Sequence, residues 1–131
     1  MHSLKKKRNA EMKSWLQRRE ALVRILAWIG LFLIVVLSVV PAAERPVTEF
    51  GPKFEHFAAF ALVGGAFALG YDLVWGRLML LALFFCAGIE LLQVPLPTRH
   101  ARASDFVINF VAACFAIGLV HVSKKLVGKT I

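Results

Sequence analysis

Acidic charge is scarce in this 131-residue chain, with 8 Asp and Glu against 16 Lys and Arg and a formal net charge of +8. Cysteine is scarcer still. Cys86 and Cys114 both lie inside apolar runs, which argues against a disulfide framework and says nothing of compartment. No HExxH motif or Cys–His spacing is present, so no metal and no cofactor is expected. Ser104 has no nucleophile elbow around it. There is no base-stacking motif and no soluble domain to carry one, which turns the basic excess toward an anionic membrane surface and away from nucleic acid. Internal repeats and low-complexity segments are lacking. The first apolar run is too long for a cleavable signal and has no small-residue cleavage site, so no processing is expected.

What is present is apolar. The chain is 59% hydrophobic with mean hydropathy +0.69, above the roughly half-apolar composition of soluble domains. One domain is the natural count. Residues 25–43 carry no charge and are long enough to cross a ~30 Å hydrocarbon core at ~1.5 Å per residue. Pro41 marks their end, and residues 44–53 read as a loop. A second span runs over about residues 54–75 and contains Ala61, Gly64, Gly65 and Ala68, small residues that allow close helix approach in lipid. Gly76-Arg77 reads as a tight turn. A third span covers about 78–96 with Glu90 as its only charge, and a fourth covers 105–122.

The expected fold is therefore all-α, an integral membrane bundle of four transmembrane helices. A basic arm (1–20, readable as an interfacial helix), a membrane domain (21–123) and a basic tail (124–131) divide the chain. Eight of the 16 Lys and Arg fall in the first 24 residues. The first 24 residues, the Arg77 turn and the tail together hold twelve, and the opposite side holds Arg45, Lys53, Arg99 and Arg102. By the positive-inside rule both termini are cytoplasmic, in the inner membrane.

That topology gathers the polar residues on the extracytoplasmic side. His56 opens span two. Glu90 and Gln93 share a face of span three, and Asp105 and Asn109 share a face of span four. The latter face continues through the small Ala112, Ala113 and Ala116. Arg99, His100 and Arg102 rim the intervening loop. An unpaired carboxylate at membrane depth costs roughly 2.5–3.5 kcal/mol, so a shared polar pocket is expected rather than exposure to lipid. Asp105 suits a helix start, where an acidic side chain caps free N–H groups. Ser104 would serve there too, leaving Asp105 for an ion pair with Arg99.

In order, Lys53-x-x-His56-Phe57, Glu90-x-x-Gln93 and Arg99-(x)5-Asp105-x-x-x-Asn109 stand each beside a span. Over residues 50–120 this pattern resembles the VanZ-like membrane proteins. The resemblance implies a small multi-span protein in which His56, Glu90, Gln93, Arg99, Asp105 and Asn109 match the family's polar positions. The naming member is associated with resistance to the glycopeptide teicoplanin. Ala112 stands where the family often has Gly. Three readings follow. In the first, a pocket binds an anionic amphiphile, cell-envelope precursor or glycopeptide-type ligand, with Arg99 and Arg102 on the anion and Glu90, Gln93, Asn109 and His56 on polar groups. In the second, His56 with Glu90 or Asp105 forms an acid–base pair acting on a lipid-linked phosphorylated substrate. In the third, the polar set locks the bundle or holds it in a membrane complex. Membrane lipids are the expected surroundings in each.

Overall fold

A computed structural model describes residues 2–44, 48–96 and 102–129. It is helical, with no strand among the described residues: α1 (His2–Val39), a 3-10 turn (Ala42–Glu44), α2 (Pro52–Gly70), α3 (Trp75–Gln93) and α4 (Ala103–Lys129). Pro41 has no N–H and constrains the residue before it, so α1 stops just ahead of it. Gly51 takes φ 83 and hands over to Pro52, the first residue of α2. A left-handed residue followed by a helix-ready φ suits a glycine–proline pair.

The turn between the second and third helices is not at Gly76-Arg77. Gly70 ends α2, Tyr71 is extended (φ −122, ψ 138), and α3 begins at Trp75 with Gly76 and Arg77 in its first turn. The connector is residues 71–74.

Three helices are long and apolar enough to cross a membrane, within Leu4–Val39, Trp75–Gln93 and Ala103–Gly128. The 19 residues of α2 include Lys53, Glu55 and His56 near their start, which shortens its apolar stretch. The helices leave large side chains facing outward, among them Phe32, Leu62, Phe84, Leu91 and Phe115. Such a surface is far more apolar than a soluble monomer presents. With the backbone groups between its ends satisfied inside its own helix, each span is suited to lipid. The chain is a membrane-embedded helical protein.

The closest helix pair is α2 with α4. A Cβ at Gly64 would lie 3.1 Å from the Cα and carbonyl oxygen of Ala113, and one at Gly65 would lie 3.6 Å from Ala116 Cβ. Residue numbers rise together along this seam, so α2 and α4 are parallel. Against α1 the numbers run opposite, since Ile34 clusters with Phe60 while Arg24 meets Gly70. α3 is likewise antiparallel to α4, with Leu78 beside Ile117 and Glu90 beside Arg102. The core has two layers. Ile34, Phe60, Cys86, Ile89 and Ala112 form one; Ala68, Leu78 and Ile117 form the other. α1 and α3 touch only loosely.

At the end where α2 finishes, Arg24 Nε donates to the Gly70 carbonyl at 2.5 Å, and its guanidinium lies 5.0 Å over the Tyr71 ring. Trp28 Nε1 donates to the Tyr71 hydroxyl at 2.8 Å and meets Phe67 edge-on at 5.4 Å. A cation on a helix's last carbonyls suits both the unpaired C=O groups and the helix dipole. Beyond this aromatic end α1 continues without a break. Residues 4–22 are all exposed, so the basic arm and the first apolar run form one rod of 38 residues, about 57 Å long at ~1.5 Å per residue.

Candidate functional site

The up-and-down order brings the end of α1, the start of α2, the end of α3 and the start of α4 to one end of the bundle. His56, Glu90, Gln93, Asp105 and Asn109 all fall there. Arg99 and His100 lie outside the described residues, so the structure does not speak to the Arg99–Asp105 pair.

α3 supplies two polar side chains near its end, and each reaches a neighbouring helix terminus. Glu90 Oε2 accepts the backbone N–H of Arg102 at 3.2 Å. Arg102 directly precedes α4, and the first N–H groups of a helix have no partner inside it. A carboxylate there satisfies one and sits favourably on the positive end of the dipole. Gln93 is buried and donates from Nε2 to the carbonyl of Ser38 at 3.2 Å. Ser38 is in the last turn of α1, where carbonyls are likewise unpaired. One helix end thus caps the N-terminus of α4 and the C-terminus of α1.

The Arg102 side chain is exposed; its recorded role is through its main chain. Asp105 lies in the first turn of α4, with its backbone N–H on the Arg102 carbonyl at 2.9 Å. The Ser104 hydroxyl donates to Asp105 Oδ1 at 3.2 Å. Ser104 and Asp105 are thus joined to each other at the start of α4.

His56 lines a different part of this end. With Glu55, Ser38, Ile34, Leu37, Ala59 and Phe60 it surrounds a cavity of about 100 Å³ between α1 and α2. Glu55 Oε1 accepts the N–H of Thr48 at 2.6 Å and so fastens the chain entering α2.

Asn109 is the exception to this pairing. It is 0% exposed, on the face of α4 that also buries Ala112 and Ala113. Neither its Nδ2 nor its Oδ1 has a hydrogen-bond partner among the described residues. A buried unsatisfied amide costs about 1–3 kcal/mol, and the cost is felt more where no water competes.

Side-chain reading overlooked Ser38 as a member of this end. Ser38 is the lone hydroxyl of residues 25–43, and it donates to its own helix at Ile34 O, 2.6 Å away. Such back-bonding is the ordinary fate of a helical serine. Its tertiary contact is through the carbonyl, which carries no sequence signal. Glu55 beside His56 was a visible signal of polarity at the start of α2.

Among the described residues no group of three His, Cys, Asp or Glu is placed to hold a metal ion. The arrangement caps helix termini and leaves a small cavity beside His56. Family models, curated proteins and solved structures all fail to match this chain.

Proposed function

We propose that the chain is a VanZ-like membrane protein with four spans and cytoplasmic termini. Its polar end faces outward and recognises the headgroup of an anionic amphiphile such as a cell-envelope precursor. The observation that carries this reading is Asn109. Glu90 and Gln93 reach main-chain partners at helix ends, whereas both atoms of this buried amide lack a partner among the described residues. A ligand offering one donor and one acceptor would remove that cost on binding, an interaction gained only in the complex. Arg99 and Arg102 supply the positive rim for its anion. Positive charge on an outward loop runs against the topology rule, and a ligand gives it a reason.

The test is native mass spectrometry of the protein extracted in mild detergent. An anionic adduct on the wild type that is lost in both Arg99→Ala and Asn109→Leu, with helicity unchanged, supports the reading. Absence of any adduct from the wild type rejects it.

A second reading has its own support. The bonds from Glu90 to Arg102 and from Gln93 to Ser38 are what a polar lock of the bundle requires. Under that reading Glu90→Gln and Gln93→Leu loosen the fold and change no adduct.

A further inference from the structure

α2 stops at Gly70, but both of its main neighbours run on. α2 packs between α1 and α4, which do not touch among the described residues. Past Gly70, α1 projects through residues 4–22 and α4 through residues 121–128, and both stretches are exposed. The space in line with α2 is therefore flanked by two bare helices, held apart at its mouth by the thickness of α2. A helix with no packed face is marginal in water, and helices in proteins draw most of their stability from packing one. The face that each helix turns to α2 continues into its projecting part. On α1, Gly30 lies against Val63 and Val23 against Gly70. The same three- and four-residue spacing runs on through Arg19, Leu16 and Met12. On α4, Ala113 and Ala116 lie against Gly64 and Gly65, and the spacing runs on through Val120, Lys124 and Val127. The two walls of the slot are thus apolar stripes set among cations.

Charge names the class of occupant. Residues 4–19 hold seven Lys and Arg against Glu11 alone, and residues 122–129 hold three Lys and no acid. Arg19 lies 4.6 Å over the Trp15 ring, which sets its guanidinium beside the α1 stripe. The occupant is acidic. Arg24 closes the charge-free run of α1. Leu16 and Lys5 lie about 12 and 28 Å beyond it along the helix axis. The field of a charged bilayer surface fades over about 8–10 Å, so the rod carries most of its cations out of that reach. A second copy would bring like charges together. A nucleic-acid backbone offers nothing apolar to Met12, Leu16 and Val127. We infer that the slot receives an acidic amphipathic helix of a partner protein, laid in line with α2. Its apolar side meets Met12, Leu16 and Val127, and its carboxylates meet the Lys and Arg around them. The arm is then the attachment to a partner in the aqueous phase. This slot lies at the opposite end from Asn109 and does not depend on the reading proposed there.

The test uses the full chain in nanodiscs of phosphatidylcholine, which carries no net charge. The probe is a dye-labelled peptide of about 20 residues, matched to the exposed arm in length. It has leucine at every third and fourth position and glutamate between. Binding is read by fluorescence anisotropy, and the wild type is expected to bind. Leu16→Glu and Val127→Glu, one on each wall, should each weaken binding about tenfold, the scale of one buried apolar side chain lost. Ser14→Glu makes the same charge change on the opposite face of α1 and should weaken it by less than about twofold. All three positions are exposed, so helicity by circular dichroism should stay at the wild-type level. No binding by the wild type overturns the slot. So does unchanged binding in Val127→Glu, which removes the α4 wall. Equal weakening by Leu16→Glu and Ser14→Glu, or equal affinity for a polyglutamate of the same length, overturns it by showing that charge alone attracts the arm. Tighter binding of a single-stranded RNA of that length gives the arm to nucleic acid. Loss of peptide binding in discs made half of phosphatidylglycerol gives it to the bilayer surface. A wild-type dimer in native mass spectrometry that Leu16→Glu splits gives it to a second copy. Each of these three outcomes also overturns the proposal.

Discussion

The two ends of the bundle are held by different chemistry. At the aromatic end, Arg24, Trp28, Phe67 and Tyr71 contact one another directly, and a guanidinium sits on the last carbonyls of α2. At the polar end the ties run from side chains to backbone at helix termini. A cavity lies beside His56, and the Asn109 amide has no partner among the described residues. The first arrangement is closed: its polar atoms point at each other. The second leaves hydrogen-bonding capacity unspent. In a membrane, where lipid offers no replacement partner, unspent capacity marks the end at which binding is to be sought.

The middle of the bundle sets the scale for disturbing either end. Gly64→Leu drives a side chain into the Ala113 backbone, which a Cβ alone would already approach to 3.1 Å. Backbone cannot step aside as a flexible side chain can. The α2–α4 seam should open, with a loss of about 3 kcal/mol or more, read as failure to run as a single species on size exclusion in detergent. Retention of a wild-type melting transition would mean that the two helices are not held at this crossing.

Trp28→Ala strikes the aromatic end. It removes the bond to the Tyr71 hydroxyl and the edge-on contact with Phe67. A hydrogen bond at about 1 kcal/mol and an aromatic pair at about 0.5–1.5 kcal/mol give a loss near 2 kcal/mol. Thermal unfolding in detergent checks it. A loss smaller than that of Glu90→Leu would reverse the comparison and make the polar end the tighter one.

Glu90→Leu and Asn109→Leu should then part company. The first strips the cap from the start of α4 and costs about 1 kcal/mol, as removal of an N-cap does. The second replaces an unpaired buried amide by a side chain of similar size. It should raise the stability of ligand-free protein by about 1 kcal/mol. Opposite signs in the same unfolding assay would sharpen the contrast between satisfied and unsatisfied groups within one end. A destabilised Asn109→Leu would mean that the amide is already paired.

Much of this was legible beforehand, for reasons that can be named. Charge-free runs and their flanking polar residues announced helices for a membrane, and alternation along the chain sent His56, Glu90, Gln93, Asp105 and Asn109 to one end. The connector between α2 and α3 was misplaced because the apolar Leu73, Val74 and Trp75 that follow Asp72 draw the apparent span past the break, although Gly70, Tyr71 and Asp72 mark it. Glycine misled there too, since Gly76 sits in the first turn of α3 while Gly70 ends α2 under the Arg24 side chain. The side chains suggest pairing with side chains, His56 with Glu90 or Asp105 and Asp105 with Arg99. The observed partners of Glu90 and Gln93 are a main-chain N–H and a main-chain carbonyl, which every residue possesses and no sequence advertises.

Ser38 gives that distinction its smallest and most discriminating test. Its hydroxyl donates within α1 to Ile34 O, while its carbonyl receives Gln93 Nε2. If the polar end depends on main-chain acceptors, Ser38→Ala keeps the acceptor and removes only a local bond that competes weakly with the helix's own ladder. Alanine also has the higher helix propensity, by up to about 0.5 kcal/mol. The two effects nearly cancel, and stability should change by less than about 0.5 kcal/mol in the unfolding assay. Gln93→Leu, by contrast, leaves the same carbonyl buried without its donor, and should cost about 1–3 kcal/mol. A large loss in Ser38→Ala with little in Gln93→Leu would place the tie in the hydroxyl, and the account of α3 as a cap for α1 would fall with it.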